Sequence, residues 1–394
     1  MRFIMHAKHR FSRLHLLVPF SLPTLANSRC ALQNLSKPAL DSLIAHARLI
    51  ERVVESDFQR SLPHEQWVAR CFGVSYTAAS SASCQKGENA AMGESTHLDK
   101  TDMDAPLAPY MLLADGSEPR DAIWICVEPV HLQLSQTYIV LSNADMLQIS
   151  KSDAAALLAV ARPLIEELGI ELAAPTPLRW YLSGEKLGLL ASASPLRVSG
   201  HNIEIWLPHE AYTGRLPSTW IKLQNEVQMA WFTHPVNQIR EERGLLAANS
   251  IWPYAQGCIT PVMRPFECVL SQAAATRGLA LASAASIGMP PTSFNMLLQQ
   301  IGSQSSVFDP RSVTLVELDQ LSTPFLQQDW LRFRAVLEVM ERDWFAPALI
   351  ALKRYELPEL TLTLCGDAIA ITLVIRPMEI KKFWRRRSFE SLLL

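Results

Sequence analysis

Two rhythms of apolar positions run along this chain, one of strands and one of helices. Near the N-terminus, 14–20 is a short apolar run, Leu-His-Leu-Leu-Val-Pro-Phe, with the length and punctuation of a buried first strand. Over 36–59 the apolar residues change to helical spacing, from Leu40, Leu43, Ile44 and Ala47 to Val53 and Val54, and predict one helix. Pro63 breaks that pattern, and 64–72 predicts a second, short helix. Beyond it, 110–116 reads as a short strand or helix end followed by a turn, and strands are expected at 122–127, 131–134, 137–141, 179–183 and 202–207.

Longer helices punctuate the middle of the chain. Ser152 or Asp153 is placed to cap a helix with Leu157, Leu158, Ala161, Leu164, Ile165 and Leu168 on one face, kinked at Pro163 and ended by Gly169. Over 219–232, Trp220, Leu223, Val227 and Trp231 share one side. Asn237 then reads as the cap of a short helix over 238–243, which Gly244 ends, and 274–285 as a small-residue helix. A strand at 313–318 delivers Asp319 at its C-terminal end, and Trp330, Phe333, Leu337, Met340 and Trp344 form a helical stripe. Finally Leu360, Leu362 and Leu364, the Gly366-Asp367 turn, and Ile369, Ile371, Leu373 and Ile375 make a hairpin pattern. This alternation predicts an α/β fold, a layered mixed sheet flanked by helices.

Between these patterned segments lies 75–108, rich in Ala, Ser and Gly, with almost no large apolar residue, and therefore expected as a flexible low-complexity insertion. The chain thus divides into an N-terminal strand and helices (1–74), the insertion (75–108), a main α/β domain (109–380) and a basic tail (381–394). Residues 1–26 also mimic a signal peptide, because Arg2, Lys8, Arg10 and Arg13 precede the apolar run. His15 and Pro19 within the run, and Pro23 just after it, favour the strand, and the leader stays as the alternative.

Composition narrows the class of function. Hydrophobic residues make up 49% and charged residues 19% of 394, as in ordinary globular proteins. A net charge of −2 supplies no global basic field for nucleic acid or an anionic membrane. The concentrated basic run at 381–387, Lys-Lys-Phe-Trp-Arg-Arg-Arg, reads as a solvated tail, with an anion-binding patch as the alternative. Seven cysteines without a CxxC suit reduced thiols, and no apolar run reaches the roughly 18–20 residues of a membrane span. A cytoplasmic protein with no nucleic-acid or membrane partner is expected.

The chain lacks GxGxxG, GxxxxGK[ST], HExxH and GxSxG, which removes the usual support for nucleotide-cradling and serine-hydrolase readings. Glu128 and His131 flank a proline and read as a strand end with a hydrogen-bonded structural histidine; a metal role for His131 is the alternative. Arg179 beside Trp180 and Tyr181 reads as a guanidinium at the rim of aromatic packing, with stacking or anion binding as the alternative. The densest polar segment is 224–257, which holds Gln224, Asn225, Gln228, His234, Asn237, Arg240, Arg243 and Asn249. Singly each has a structural reading. Together His234, Asn237, Arg240, Arg243 and Asn249 point to a ligand surface, where two arginines suit forked hydrogen bonds to a small phosphorylated or anionic ligand.

Within that segment, His234-Pro235-Val236-Asn237, Arg240, Gly244, Ala248-Asn249 and Gly257 resemble a segment of the archaeal-type cofactor-independent phosphoglycerate mutases of the alkaline-phosphatase superfamily. Over most of its length outside 75–108 the chain more closely resembles the proteobacterial RpfE-like regulatory proteins. The residues that carry this are 14–20, Pro129-Val130-His131, Arg179-Trp180-Tyr181, 224–252 and Leu362-Thr363-Leu364-Cys365-Gly366. The resemblance implies a phosphomutase scaffold whose active members use two divalent metals, held by Asp and His, and a nucleophilic Ser. Such metals clamp the attacking and leaving oxygens, so their ligands cannot be lost without the chemistry. Here strand one ends in Val18-Pro19-Phe20 with no Asp, 319–323 keeps only Asp319, the last core strand leads into Cys365-Gly366-Asp367 with no His, and no serine matches the nucleophile. The resemblance therefore implies a metal-site-depleted relative with a regulatory or ligand-binding role and no cofactor. The alternative is an active metal-dependent phosphomutase or phosphohydrolase with a rebuilt site of Asp319, His131 and His234, using Mn or Mg. A third reading is a protein partner bound through 75–108 or the basic tail.

Overall fold

The first strand of the chain lies in the interior of a sheet. In the computed structural model, which describes residues 13–56, 58–75, 104–135, 138–211, 213–303, 312–382 and 384–393, the early strands are β1 (Arg13–Leu22), β2 (Arg48–Val54), β3 (Trp124–Leu134), β4 (Ile139–Ser142), β5 (Leu172–Ala173), β6 (Trp180–Ser183), β7 (Leu190–Ala191) and β8 (His209–Glu210). They are followed by β9 (Ser250–Gly257), β10 (Cys268–Leu270), β11 (Ser286–Gly288), β12 (Val313–Glu317), β13 (Leu360–Gly366) and β14 (Ile369–Ile375). The chain splits into two compact units, one made of 1–55 with 264–394 and the other of 56–263. Most of the expected insertion, 76–103, lies outside the described residues, while Asp104 to Ala108 at its end are buried.

The first unit is built on a seven-stranded mixed sheet in the order β11-β10-β12-β1-β13-β14-β2. The run from β11 to β13 is parallel, and β14 pairs antiparallel with both β13 and β2. β1 is buried along nearly its whole length, as an apolar strand in a parallel sheet covered on both faces should be. The core joins Leu16, Val18, Leu362, Leu364, Ile371 and Leu373 to Leu40 and Leu43 of the helix Pro38–His46 and to Phe333, Leu337 and Trp344. A π-turn at Glu341–Phe345 interrupts the last of these helical stretches and aims the Glu341 carboxylate at the start of Pro38–His46, where it accepts from the Ala39 (2.5 Å) and Leu40 (3.0 Å) amides.

The second unit holds a five-stranded antiparallel sheet in which β3 pairs with β4, β6 and β9. The helices Lys151–Glu167 and Ser218–Phe232 supply Leu157, Ile165, Trp220, Leu223 and Trp231 to a core completed by Trp180 and Ile251.

Several elements differ from the sequence expectation. The helix expected over 36–59 ends at His46, and Arg48–Val54 is the edge strand β2. Ile50, Val53 and Val54 are β-branched, and the ladder to β14 outweighs a stripe that would have buried only one helix face. The two strands expected at 122–127 and 131–134 are one, β3, continuous through Pro129. The segment 202–207 is a 3-10 turn at Ile203–Trp206, because the Asn202 side-chain oxygen Oδ1 accepts from the Glu204 amide (3.1 Å) and curls the chain locally. The helix expected to be capped at Ser152 or Asp153 is capped by Ser150, which accepts from the Asp153 amide. The run 381–387, read as a solvated tail, is exposed at Lys381, Trp384, Arg386 and Arg387, while Phe389 and Leu392 beyond it belong to the first unit's core.

Candidate functional site

Pro235 holds His234 in an extended conformation after the helix Ser218–Phe232, and this places His234 at the N-cap of the helix Pro235–Glu242. Its Nδ1 accepts from the Val236 amide at 3.2 Å. The expectation that Asn237 caps this helix is thereby corrected, since Asn237 sits inside it and is buried. Its amide nitrogen donates to the Trp231 (2.9 Å) and Ala248 (2.8 Å) carbonyls, and its oxygen accepts from the Ala248 amide (3.0 Å). All four hydrogen-bonding capacities except one lone pair are used within the segment.

The same accounting applies to its neighbours. Arg240 is 3% exposed; its Nε donates to the Leu246 carbonyl (2.9 Å), one terminal nitrogen donates to the Leu147 carbonyl, and the other lies 3.9 Å from Asp153. Asn249 accepts from the Leu132 amide (2.7 Å) and donates to the Leu132 carbonyl (2.9 Å), so a side chain extends the β3–β9 ladder. Gln224 and Gln228 both donate to Ser250 Oγ, at 3.1 and 2.8 Å, and tie helix Ser218–Phe232 to β9. His131 donates from Nδ1 to the Ala247 carbonyl (2.8 Å), which is the structural role the sequence suggests for it. Thus the segment brings Asn237, Arg240 and Asn249 together as internal braces. His234 is half-buried and Arg243, just before Gly244 at φ +70°, is exposed.

A second, partly buried polar group in the same unit centres on Arg179. Its guanidinium forks onto Asp115, Nε to Oδ2 and Nη2 to Oδ1, both at 2.8 Å, and Tyr181 donates to the same carboxylate at 2.5 Å. Tyr254 donates to Glu128 at 2.6 Å, and Glu128 lies 3.9 Å from Arg179. Burial pushes Glu128, Tyr181 and Tyr254 upward in pKa, with Arg179 opposing each shift. Asp115 and Tyr254 carry no local signal in the sequence, because both meet this group only through the folding of distant segments.

In the first unit, the carboxyl ends of parallel strands are where an α/β sheet offers a ligand crevice. At the end of β1, Phe20 sits at φ +54° and is fully buried, its ring 5.0 Å from that of Phe325. Ser21 turns back to donate to the Val18 carbonyl at 2.9 Å. At the end of β12, Glu317 is buried and accepts from Ser271 Oγ at 2.6 Å; burial raises its pKa, while bonds from Ser271 and Thr276 lower it. Asp319 follows, half-buried, and Asp367 lies half-buried in the β13–β14 turn.

A pair of divalent metals needs several Asp and His side chains converging on one point. Among the described residues, no three His, Cys, Asp or Glu side chains form such a group. At β1 the position carries an aromatic core residue, and at β12 the inward carboxylate is already hydrogen-bonded. Phe20 offers no ligand at the first of these strand ends, and Asp319 is the carboxylate that follows the second. No helix among the described residues is long and apolar enough to cross a membrane.

No protein-family model and no curated protein matches the chain. Among solved structures it is similar to the cofactor-independent phosphoglycerate mutase from Thermoplasma acidophilum DSM 1728, at 13% identity and a TM-score of 0.43, over 97% of this chain and 94% of that one. It is also similar to the PH0037 protein from Pyrococcus horikoshii, at 12% identity and a TM-score of 0.47, over 97% of this chain and 92% of that one. Both likenesses are at low identity, and the side-chain geometry above stands independently of them.

Proposed function

We propose that this chain is a non-catalytic, cytoplasmic relative of the 2,3-bisphosphoglycerate-independent phosphoglycerate mutases, of the RpfE-like regulatory kind, with a binding or regulatory role. The observation that carries the reading is at the end of β1, where the resemblance calls for a metal-binding Asp and the chain places Phe20, buried against Phe325. An aromatic ring cannot ligate a cation through a lone pair, and its burial excludes the water such a site would use. In this reading ligand contact in the 224–257 segment falls to His234 and Arg243, while Asn237, Arg240 and Asn249 hold the surface in shape behind them. The competing enzyme reading draws its residues from both units, Asp319 from one and His131 and His234 from the other. His131 is tied by Nδ1 to a backbone carbonyl.

The test is a turnover assay. Purified full-length protein with 3-phosphoglycerate and Mn²⁺ is expected to form product no faster than a buffer blank. Product formation above the blank that disappears in Asp319→Asn would defeat the proposal and establish the enzyme.

A further inference from the structure

The basic run at the end of the chain is clamped over a cleft. Within the run, Arg385 donates to the His46 carbonyl (3.2 Å) and pairs with Glu379 (2.8 Å), which also holds Lys382 (2.8 Å). After it, the Phe389 amide donates to Asp41 (2.9 Å), Lys37 pairs with Glu390 (2.5 Å), and the Phe389 and Leu392 side chains are buried in the first unit's core. Arg386 and Arg387 therefore span a short bridge between two fixed points. They stand exposed over the junction of helix Pro38–His46 with β2.

Beneath the bridge is a cleft of about 370 Å³, within the range of small-molecule sites. Arg48, Arg385, Arg386 and Arg387 line it, no acidic side chain does, and the remaining lining is apolar: Leu49 and two alanines. Glu379 is the carboxylate paired with Arg385 and also acts on Arg48, whereas neither Arg386 nor Arg387 forms an ion pair among the described residues. Arg386 and Arg387 thus line the cleft without a carboxylate of their own, and an anion placed beside them gains charge attraction and forked hydrogen bonds. Because the run is pinned at both ends, little backbone entropy remains to be lost when an anion binds.

We propose that this cleft is a binding site for a small phosphate ester carrying at least two negative charges, with the phosphate held by Arg48, Arg386 and Arg387 and the organic part against Leu49. Two sources share this chemistry: a free nucleoside diphosphate, or a phosphomonoester lipid headgroup. Exposed Trp384 and Ile50 lie beside the cleft in the chain and suit either a stacked base or an interfacial anchor. The proposal does not depend on whether the chain is a catalyst, and a turnover result leaves it untouched.

Titration calorimetry on the full-length protein with ADP and with inorganic pyrophosphate forms one arm. Flotation with phosphatidylcholine vesicles, with and without phosphatidic acid, forms the other. Saturable binding is expected in at least one arm, and the arm that binds more tightly assigns the source. Arg386→Ala with Arg387→Ala should weaken that binding by about tenfold for each arginine removed, with an unchanged circular dichroism spectrum. Arg332→Ala with Arg354→Ala removes the same charge from exposed positions outside the cleft and should leave binding unchanged. Absence of saturable binding in both arms overturns the proposal, as does an equal loss in the control pair, which would reduce the effect to net charge.

Discussion

Two histidines are buried deeply enough to make folding depend on pH. Burial pushes His15 down to about 3 and His64 down to about 4. An imidazole in the unfolded chain titrates near 6.5, so both folded values lie below the unfolded one. The neutral forms are the folded ones, and the stability they contribute is complete above about pH 6.5 and is lost as pH falls toward those folded values. Asp104 runs the other way: burial raises it from 3.8 to about 6, so its contribution is complete below its unfolded pKa and lost as pH rises through about 6. Asp104 and His64 share one unit, and Glu317, also raised by burial, shares the other with His15, so the readout is the difference in pH slope between wild type and a variant of His15, whose Nε2 lies 2.8 Å from Thr363 Oγ1 in β13. Lowering the pH from 7 to about 5 should cost about 2 kcal/mol through His15, read from urea unfolding midpoints. His15→Gln keeps a polar partner for Thr363 without a titrating group and should flatten the slope by that amount; an unchanged slope would count against the burial argument. Residue chemistry of this kind was only half legible. A histidine inside an apolar run announces burial, whereas nothing near Asn237 announces that its amide closes on Ala248 eleven residues later.

At the level of elements, local pattern succeeded where neighbours in sequence are neighbours in space. The β13–β14 hairpin, the helix Ser218–Phe232 and the stripe from Trp330 to Trp344 all formed where the periodicity places them. The failures share one cause. Arg48–Val54 became a strand because β14 offers it a ladder more than three hundred residues downstream, and no window of local sequence contains that partner. Glycines show the same division. Gly244 ends helix Pro235–Glu242 at φ +70° with open space around its missing Cβ, so Gly244→Ala should cost only the left-handed strain, about 1 kcal/mol. At Gly366 an added Cβ would lie 2.5 Å from the Leu22 carbonyl oxygen, at the irregular end of the β1–β13 pairing. Gly366→Ala should therefore destabilise by about 2–3 kcal/mol through overpacking. Thermal unfolding of the two variants side by side checks the ordering, and equal midpoints would show that the sheet end yields.

For the whole molecule, the decisive feature is that β1 pairs with β12 and β13, strands some three hundred residues away in the chain. The first unit is discontinuous and cannot close until both ends of the chain exist, whereas 56–263 is continuous and carries its own sheet and tryptophan-rich core. A fragment of 56–263 should accordingly unfold cooperatively and keep near-ultraviolet dichroism from buried Trp124, Trp180, Trp220, Trp231 and Trp252. A featureless near-ultraviolet spectrum would show that this unit needs the rest of the chain.

The α/β class, the buried first strand and the main helices were readable because each rests on apolar periodicity within a dozen residues. So was the lack of an acid at the end of β1, since Phe20 is a matter of identity. Whether polar side chains face a ligand or each other was not readable. Asn237, Arg240 and Asn249 look the same in sequence whether they brace or bind, and their hydrogen-bond partners arrive only with folding. The arginine run was equally ambiguous, a tail by composition, until Phe389 and Leu392 entered the core and held it across a cleft. Hydrophobic burial is encoded by local spacing, but the satisfaction of a polar group is a three-dimensional account that closes only when distant strands meet.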